Sequence, residues 1–145
     1  MNTDQATLRF SLSILICAGS LLAYSAEAAN AGLNGRWIGN SQIEGRNATA
    51  KTMLTLADAD SSGATLRIED VNTCTLRNGK YSAESAGKWT LSFSEANGGE
   101  GCKRLAAGTF ALRGGDDPKQ LYLEANYRDG DGSPAMRRAA LHRYP

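Results

Sequence analysis

The feature that most constrains this chain is a two-residue apolar period that begins near residue 33. Apolar side chains recur at every second position in short runs, with polar residues between them. This period is typical of half-buried β-strands, because successive side chains of a strand point to opposite faces. The runs predict eight strands, near 33–43, 49–57, 63–71, 73–82, 87–94, 103–113, 120–128 and 134–143. We find no helical period after residue 28, so the chain is predicted to be all-β.

Short turn-forming segments separate these runs. They read "DADSSG", "SAESAG", "EANGGEG", "GGDDPK" and "DGDG", and such residues supply positive φ angles and local side-chain hydrogen bonds. Eight short strands joined by short turns favour a small antiparallel meander. Closing the meander into a barrel removes exposed strand edges, so we expect a closed β-barrel. A two-sheet β-sandwich fits the same pattern and is the alternative.

The first 28 residues have the pattern of a signal peptide. The apolar segment "SLSILICAGSLLAY" (11–24) is followed by Ala26 and Ala28, the A-x-A arrangement of a signal-peptidase site. That segment is shorter than the ~20 residues that a membrane-spanning helix needs. We therefore expect cleavage after Ala28, a single domain over 29–145, and a periplasmic or secreted protein. An uncleaved membrane anchor is the alternative.

The charge balance of residues 29–145 argues against nucleic acid as a partner. The whole chain has 16 basic and 15 acidic side chains, and removal of Asp4, Arg9 and Glu27 leaves 15 and 13, a net charge of about +2. The basic residues are scattered along the chain rather than clustered into one basic stripe. No second apolar segment is long enough to span a membrane, so we expect no membrane span after cleavage.

Two cysteines remain after cleavage, because Cys17 leaves with the signal peptide. In an oxidising compartment, Cys74 and Cys102 are predicted to form a disulfide between the fourth strand and the start of the sixth. A redox or metal pair is the alternative. It is disfavoured because the two residues are 28 apart, no Cys-x-x-Cys occurs, and the chain has one histidine.

The first strand places Gly35, Trp37 and Ile43 on one face, so Trp37 is expected to point inward. On the last strand, Leu141 is the surest inward residue, and Arg137 and Arg143 share its parity. If the barrel closes, the first and last strands are neighbours. The Arg143 guanidinium then lies over the Trp37 indole, which is a favourable cation–π arrangement.

This arrangement resembles the calycins, the lipocalin and avidin-like barrels, which open with Gly-x-Trp and pack a basic side chain from the last strand over that Trp. Here the motif is Gly35-Arg36-Trp37, with Arg143 in "ALHRY" as the partner. The resemblance implies barrel closure through these residues and a pocket at one mouth. It identifies no ligand. "NGKY" (78–81), which has Asn-Gly turn chemistry, is similar to the Gly-x-Tyr region of bacterial periplasmic lysozyme inhibitors, which are also small disulfide-bonded β-barrels.

The chain offers few groups for catalysis. His142 is next to inward Leu141 and therefore points outward, where it is a poor general base for a Ser-His-Asp arrangement. The carboxylates that a glycosidase pair would need fall mostly at strand ends or outward positions; they are Glu69, Asp70, Glu84, Glu95, Glu100 and Glu124. "DGDG" (129–132) has two acids of a calcium loop, but between two strands it is better explained as a hairpin turn. We expect no enzyme activity, no metal and no cofactor.

These observations favour an exported binding protein, most simply an inhibitor or immunity-type factor whose partner is another protein of the cell envelope or outside the cell. A small-ligand carrier that uses the barrel mouth is the alternative. The candidate ligand-binding residues are Trp37, Tyr127 and Arg137. An inward Arg137 near one rim could receive an anionic group. The other interpretation is a cationic last strand that keeps the closing seam soluble.

Overall fold

The structure is a computed structural model that describes residues 32–57 and 62–145. The predicted signal peptide, residues 1–28, lies outside the described residues, as does most of the "DADSSG" loop. The described residues form nine strands and one short helix. In chain order these are β1 (Gly35–Ile43), β2 (Thr49–Leu56), β3 (Ser62–Glu69), β4 (Thr73–Ser85), β5 (Lys88–Ser92), β6 (Glu95–Asn97), α1 (Glu100–Ala106), β7 (Thr109–Gly114), β8 (Gln120–Arg128) and β9 (Pro134–Tyr144).

The strands form one antiparallel sheet that closes on itself. Its order is β3-β2-β1-β9-β8-β7-β5-β4, and a further pairing of β3 with β4 joins the two ends of this series into an eight-stranded barrel. The short β6 pairs with the first half of β4, while β5 pairs with the second half. Because one sheet closes completely, the barrel expectation is confirmed and the β-sandwich is excluded.

The inward face of each strand carries the apolar residues of the two-residue period. Several are fully enclosed, with at most 1% of their surface exposed: Trp37, Leu54, Leu56, Leu66, Leu76, Leu112, Leu121 and Leu141. An eight-stranded barrel is just wide enough for side chains to fill. Ser41 and Thr52 are also buried, and the Thr52 hydroxyl donates a hydrogen bond to Ser41 Oγ at 2.7 Å. This pair is a polar contact within a mainly apolar interior.

The predicted sixth strand is wrong in its first half. Residues 100–106 form α1, and strand pairing resumes only at Thr109. Cys102 and Leu105 are the buried residues of the helix, three positions apart on one face, and the exposed Glu100 and Lys103 form an ion pair at the same spacing. Seven residues are too few to show a clear helical period, so our expectation of no helix was also wrong.

Two predicted turns are part of strands. The "EANGGEG" segment contains β6, and the "SAESAG" segment is mostly the end of β4, which leaves a short turn at Gly87. Asn78 and Gly79 lie in the middle of β4, where Asn78 has φ +52°. The pairing of β3 with β4 shifts register near Gly79, so this Asn-Gly pair forms an irregularity within a strand rather than a chain reversal. "DGDG", by contrast, does join β8 to β9 as a hairpin.

The predicted disulfide between Cys74 and Cys102 is confirmed. It joins the beginning of β4 to α1, and not to the start of a strand as we had expected. The close approach leaves no room for a side chain at Gly98, where an added Cβ would lie 2.7 Å from Cys102 Cβ. The disulfide therefore holds the helix against one end of the barrel.

We predict that the double substitution Cys74→Ser and Cys102→Ser lowers the free energy of unfolding by about 3–4 kcal/mol, because a cross-link across 28 residues restricts the unfolded chain. Urea titration measures this loss. A reductant should destabilise the native protein by a similar amount and leave the double variant unchanged. Detection of two reactive thiols in the unfolded, unreduced protein would contradict the disulfide.

Candidate functional site

The two ends of the barrel differ, and the end at which β1 begins is sealed. Trp37 is 1% exposed, and its indole Nε1 donates a hydrogen bond to the Leu33 carbonyl at 2.9 Å. Arg143 is the direct cross-strand neighbour of Trp37, with its guanidinium carbon 4.6 Å from the ring centroid. Arg143 also donates hydrogen bonds to the carbonyls of Asn34 (2.6 Å) and Gly32. We call this region the closed end.

Gly35 is required at the closed end for two reasons. Its φ is +132°, a conformation that residues with a Cβ rarely adopt. A Cβ at this position would also lie 3.1 Å from Arg143 Nη1, in the space that the guanidinium occupies. Glycine at position 35 thus leaves room for Arg143 to pack on Trp37. A ligand would have to displace Arg143 to reach the Trp37 ring, and a ligand role for Trp37 stays a prediction.

We predict that Trp37→Ala lowers the free energy of unfolding by about 3–5 kcal/mol as a buried aromatic truncation. Arg143→Ala should have a smaller effect. In the double variant the losses should be less than additive, because residues in contact couple energetically. Denaturant titration of the four proteins measures the coupling. Strictly additive losses, or free quenching of native Trp37 fluorescence by iodide, would contradict the stacked arrangement.

The opposite end is only partly covered and contains a cleft. Here β1, β3 and β8 finish, β4 and β9 begin, and α1 packs over one side. We call this depression the open-end cleft; it has a volume of about 680 Å³ and is lined by Arg46, Val71, Arg104, Tyr127, Asp129 and Arg137, among others. Two of the three predicted ligand-binding residues, Tyr127 and Arg137, therefore lie together here. The third, Trp37, lies at the other end.

Positive charge is in excess in this cleft. Arg46 and Asp129 form an ion pair, with 2.6 Å between Nη2 and Oδ2. The half-buried Arg104 forms no salt bridge among the described residues, although its charge helps to lower the pKa of Glu100 on the same helix. Asp70, the other acidic residue of the lining, uses one carboxylate oxygen to accept a hydrogen bond from the Val71 backbone N–H. The lining has three arginines and two aspartates, a net charge of +1.

Arg137 enters the barrel from this cleft and reaches the buried hydroxyl pair. Its Nη1 donates a hydrogen bond to Ser41 Oγ at 2.8 Å. Its Nε is shielded from solvent and has no hydrogen-bond partner among the described residues. Arg137 is half-buried, and a charged group that is partly withdrawn from water without a counter-charge is uncommon, because desolvation without a partner is costly. In the described structure, its Nε is a buried side-chain nitrogen that lacks a hydrogen-bond partner.

Two residues of the cleft were missed by the sequence analysis. Val71 is 96% exposed at the tip of the β3–β4 loop, although it is apolar. Its position between Asp70 and Asn72, two turn-forming residues, was the available signal. The sequence predicts a strand at Arg104, whereas the structure places this residue on α1, where it lines the cleft. No sequence pattern linked either residue to Arg137, which is distant along the chain.

A larger depression, of about 970 Å³, lies on the outer face of the barrel. Two of its three cationic side chains have a partner: Arg138 pairs with Glu124 at 3.2 Å, and Arg113 lies over the Tyr122 ring at 5.1 Å. Neither Tyr127 nor Arg137 reaches it. We therefore consider the open-end cleft the better candidate site.

The carboxylates with perturbed pKa values are held in the ionised form. The pKa of Glu100 is lowered because its carboxylate accepts a hydrogen bond from Lys103, and the pKa of Asp131 is lowered because it accepts hydrogen bonds from Ser133. His142 is exposed on the outer face of β9. Within residues 32–57 and 62–145, no group of three or more His, Cys, Asp and Glu side chains is arranged to hold a metal ion. The absence of catalytic activity stays a prediction.

No protein-family model matches the chain, and no curated protein matches it. The closed eight-stranded barrel is compatible in shape with a calycin-like protein.

In the "NGKY" segment, Tyr81 is buried, and its hydroxyl donates a hydrogen bond to Asn34 Oδ1. This tyrosine therefore belongs to the core of the barrel. In the described part of the chain, no helix has the length and apolar character of a membrane span.

Proposed function

We propose that this chain is an exported, non-catalytic binding protein of the periplasm or extracellular space, and that it acts on another protein as an inhibitor or immunity-type factor. The observation that carries the proposal is the exposed Val71 beside a cationic cleft, at one end of a barrel whose interior is already filled. Apolar and arginine side chains at one place are typical of protein–protein interfaces. The disulfide fits an oxidising compartment.

The filled interior favours binding at the surface. Side chains with at most 1% exposure occupy the barrel from Trp37 at the closed end through Leu66, Leu76 and Leu121. Carriers of the calycin type need an enclosed cavity, and a ligand cannot enter this interior without displacing core residues. A partner that stays outside the barrel meets no such obstacle.

The loops at the rim of the open end are connected to one another. The β3–β4 loop that presents Val71 is followed by Cys74, whose disulfide to Cys102 ties it to α1. Arg46 and Asp129 connect the β1–β2 loop to the β8–β9 hairpin on another side. Because these loops are cross-connected before binding, less conformational entropy is lost when a partner docks.

The second candidate function is a small-ligand carrier. The volume of the open-end cleft falls within the range of about 300–1,000 Å³ that small-molecule sites occupy. Tyr127 and Arg137 would then orient the ligand. The carrier fits the calycin resemblance, but the cleft is open to solvent and would leave one side of a ligand uncovered.

Site-specific photo-cross-linking tests the protein-binding function. A photoreactive amino acid at position 71 should capture one protein from envelope extract or culture fluid, whereas the same amino acid at exposed Tyr144 on β9 should not. With that protein purified, Val71→Asp should weaken binding at least about tenfold, since the buried valine surface is lost. Tyr144→Ser is the matched control and should bind normally.

Two outcomes would contradict the protein-binding function. One is equal cross-linking from positions 71 and 144. The other is a small molecule retained by the purified native protein and lost from Arg137→Gln, which would establish the carrier. For an inhibitor, addition of the native protein should also lower the activity of the captured partner, and Val71→Asp should do so only at higher concentration.

A further inference from the structure

We infer that the open-end cleft receives a glutamate or aspartate carboxylate from the partner protein, held by Arg104 and Arg137. The inference rests on the proposed protein-binding function and names the chemistry by which the partner is recognised. Its structural basis is a guanidinium that is partly withdrawn from water, has no counter-charge among the described residues, and lies in a cleft of net positive charge.

Two arginines of the open-end cleft, Arg104 and Arg137, lack a salt-bridge partner among the described residues. Charged groups inside proteins are normally paired, because loss of hydration is otherwise uncompensated. Arg137 has only the neutral hydroxyl of Ser41 as a partner. Arg104 forms no salt bridge among the described residues, although its charge helps to lower the pKa of the exposed Glu100 on the same helix. Asp129 lies in the same cleft but is already engaged by Arg46 and by the Gly130 N–H. The cleft thus has two arginines without a salt-bridge partner among the described residues.

One donor of Arg137 is open to an incoming acceptor. Nη1 is engaged by Ser41 and Nε is shielded from solvent, so Nη2 is the nitrogen that a partner can reach. A carboxylate oxygen accepts a charge-assisted hydrogen bond from such a nitrogen. The contact with Ser41 also fixes the orientation of the guanidinium, so little side-chain freedom is lost when the anion arrives.

The net charge of the cleft favours a monoanion. Three arginines and two aspartates leave one positive charge, which a single carboxylate neutralises. A phosphate dianion would leave an excess negative charge close to Asp70 and Asp129. Carboxylates are therefore favoured over phosphates in this site.

The exposed Val71 points to a protein as the source of the carboxylate. It lines the same cleft, and it is one of three large apolar side chains that stand exposed in the described chain. A free small carboxylate gains nothing from Val71. An acidic residue next to an apolar one in a partner segment satisfies both the arginines and the valine, and so buries the apolar surface that the loop exposes.

Titrations of the purified protein test this inference. The probe is acetyl-Leu-Glu-Gly-amide, compared with its Gln counterpart, with acetate and with inorganic phosphate. The readout is the NMR signals of the arginine Nε–H groups and of Tyr127. We expect the Glu peptide to shift the Arg104 and Arg137 signals in a saturable manner, about tenfold or more tightly than acetate. The Gln peptide and phosphate should bind more weakly than acetate.

Three variants locate the site. Arg104→Gln should weaken the Glu peptide about tenfold or more, because a charge-assisted hydrogen bond is lost. It should fold normally, because Arg104 forms no described salt bridge and its electrostatic neighbour Glu100 is exposed. Val71→Asp should remove the advantage of the peptide over acetate. Arg113→Gln on the outer face is the matched control, and it should bind as the native protein does.

Several results would overturn the inference. They are equal shifts with the Glu and Gln peptides, tighter binding of phosphate, no advantage of the peptide over acetate, or an unchanged affinity in Arg104→Gln. Because these titrations need no partner, their failure is distinct from that of the proposed function. Cross-linking from position 71 with no carboxylate binding would reject the inference alone.

Discussion

The packing of Arg143 on Trp37 joins the last strand of the barrel to the first, and the rest of the fold depends on that closure. The two residues are direct cross-strand neighbours, and the same guanidinium donates hydrogen bonds to the segment that precedes β1. A sheet with this much apolar surface on one face must close or expose its edges. Closure hides the apolar face and leaves the β3–β4 pairing to complete the ring.

The two ends of the barrel core differ in how their polar side chains are paired. The inward residues of β9 run from Arg143 at the closed end, through Leu141 and Ala139, to Arg137 at the open end. The strand therefore places a cation at each end of the core. Arg143 is satisfied by an aromatic ring and two carbonyls, whereas Arg137 has one hydroxyl and an unpartnered Nε. This asymmetry distinguishes a structural arginine from a candidate binding arginine.

The disulfide and α1 shape one side of the open-end cleft. Without the bond to Cys74, α1 would be a seven-residue helix held only by its two buried side chains. Helices this short are not stable by themselves. With the bond, Arg104 is fixed at the rim, and the β3–β4 loop with Val71 is anchored three residues away from a covalent link. The same element completes the fold and shapes the candidate site.

The sequence by itself determined the all-β class, the inward face of most strands, the disulfide and the outward position of His142, because a two-residue period and a lone cysteine pair are local or compositional signals. The long β4 is the exception, since the irregularity at Asn78 and Gly79 interrupts its period. Tertiary structure decided the rest. Residues 100–106 became a helix because Cys102 and Leu105 had to be buried against the barrel end, which a seven-residue segment does not signal alone. The sequence also did not indicate that Arg104, Val71 and Arg137 line one cleft, because residues this far apart in sequence meet only when the barrel has closed.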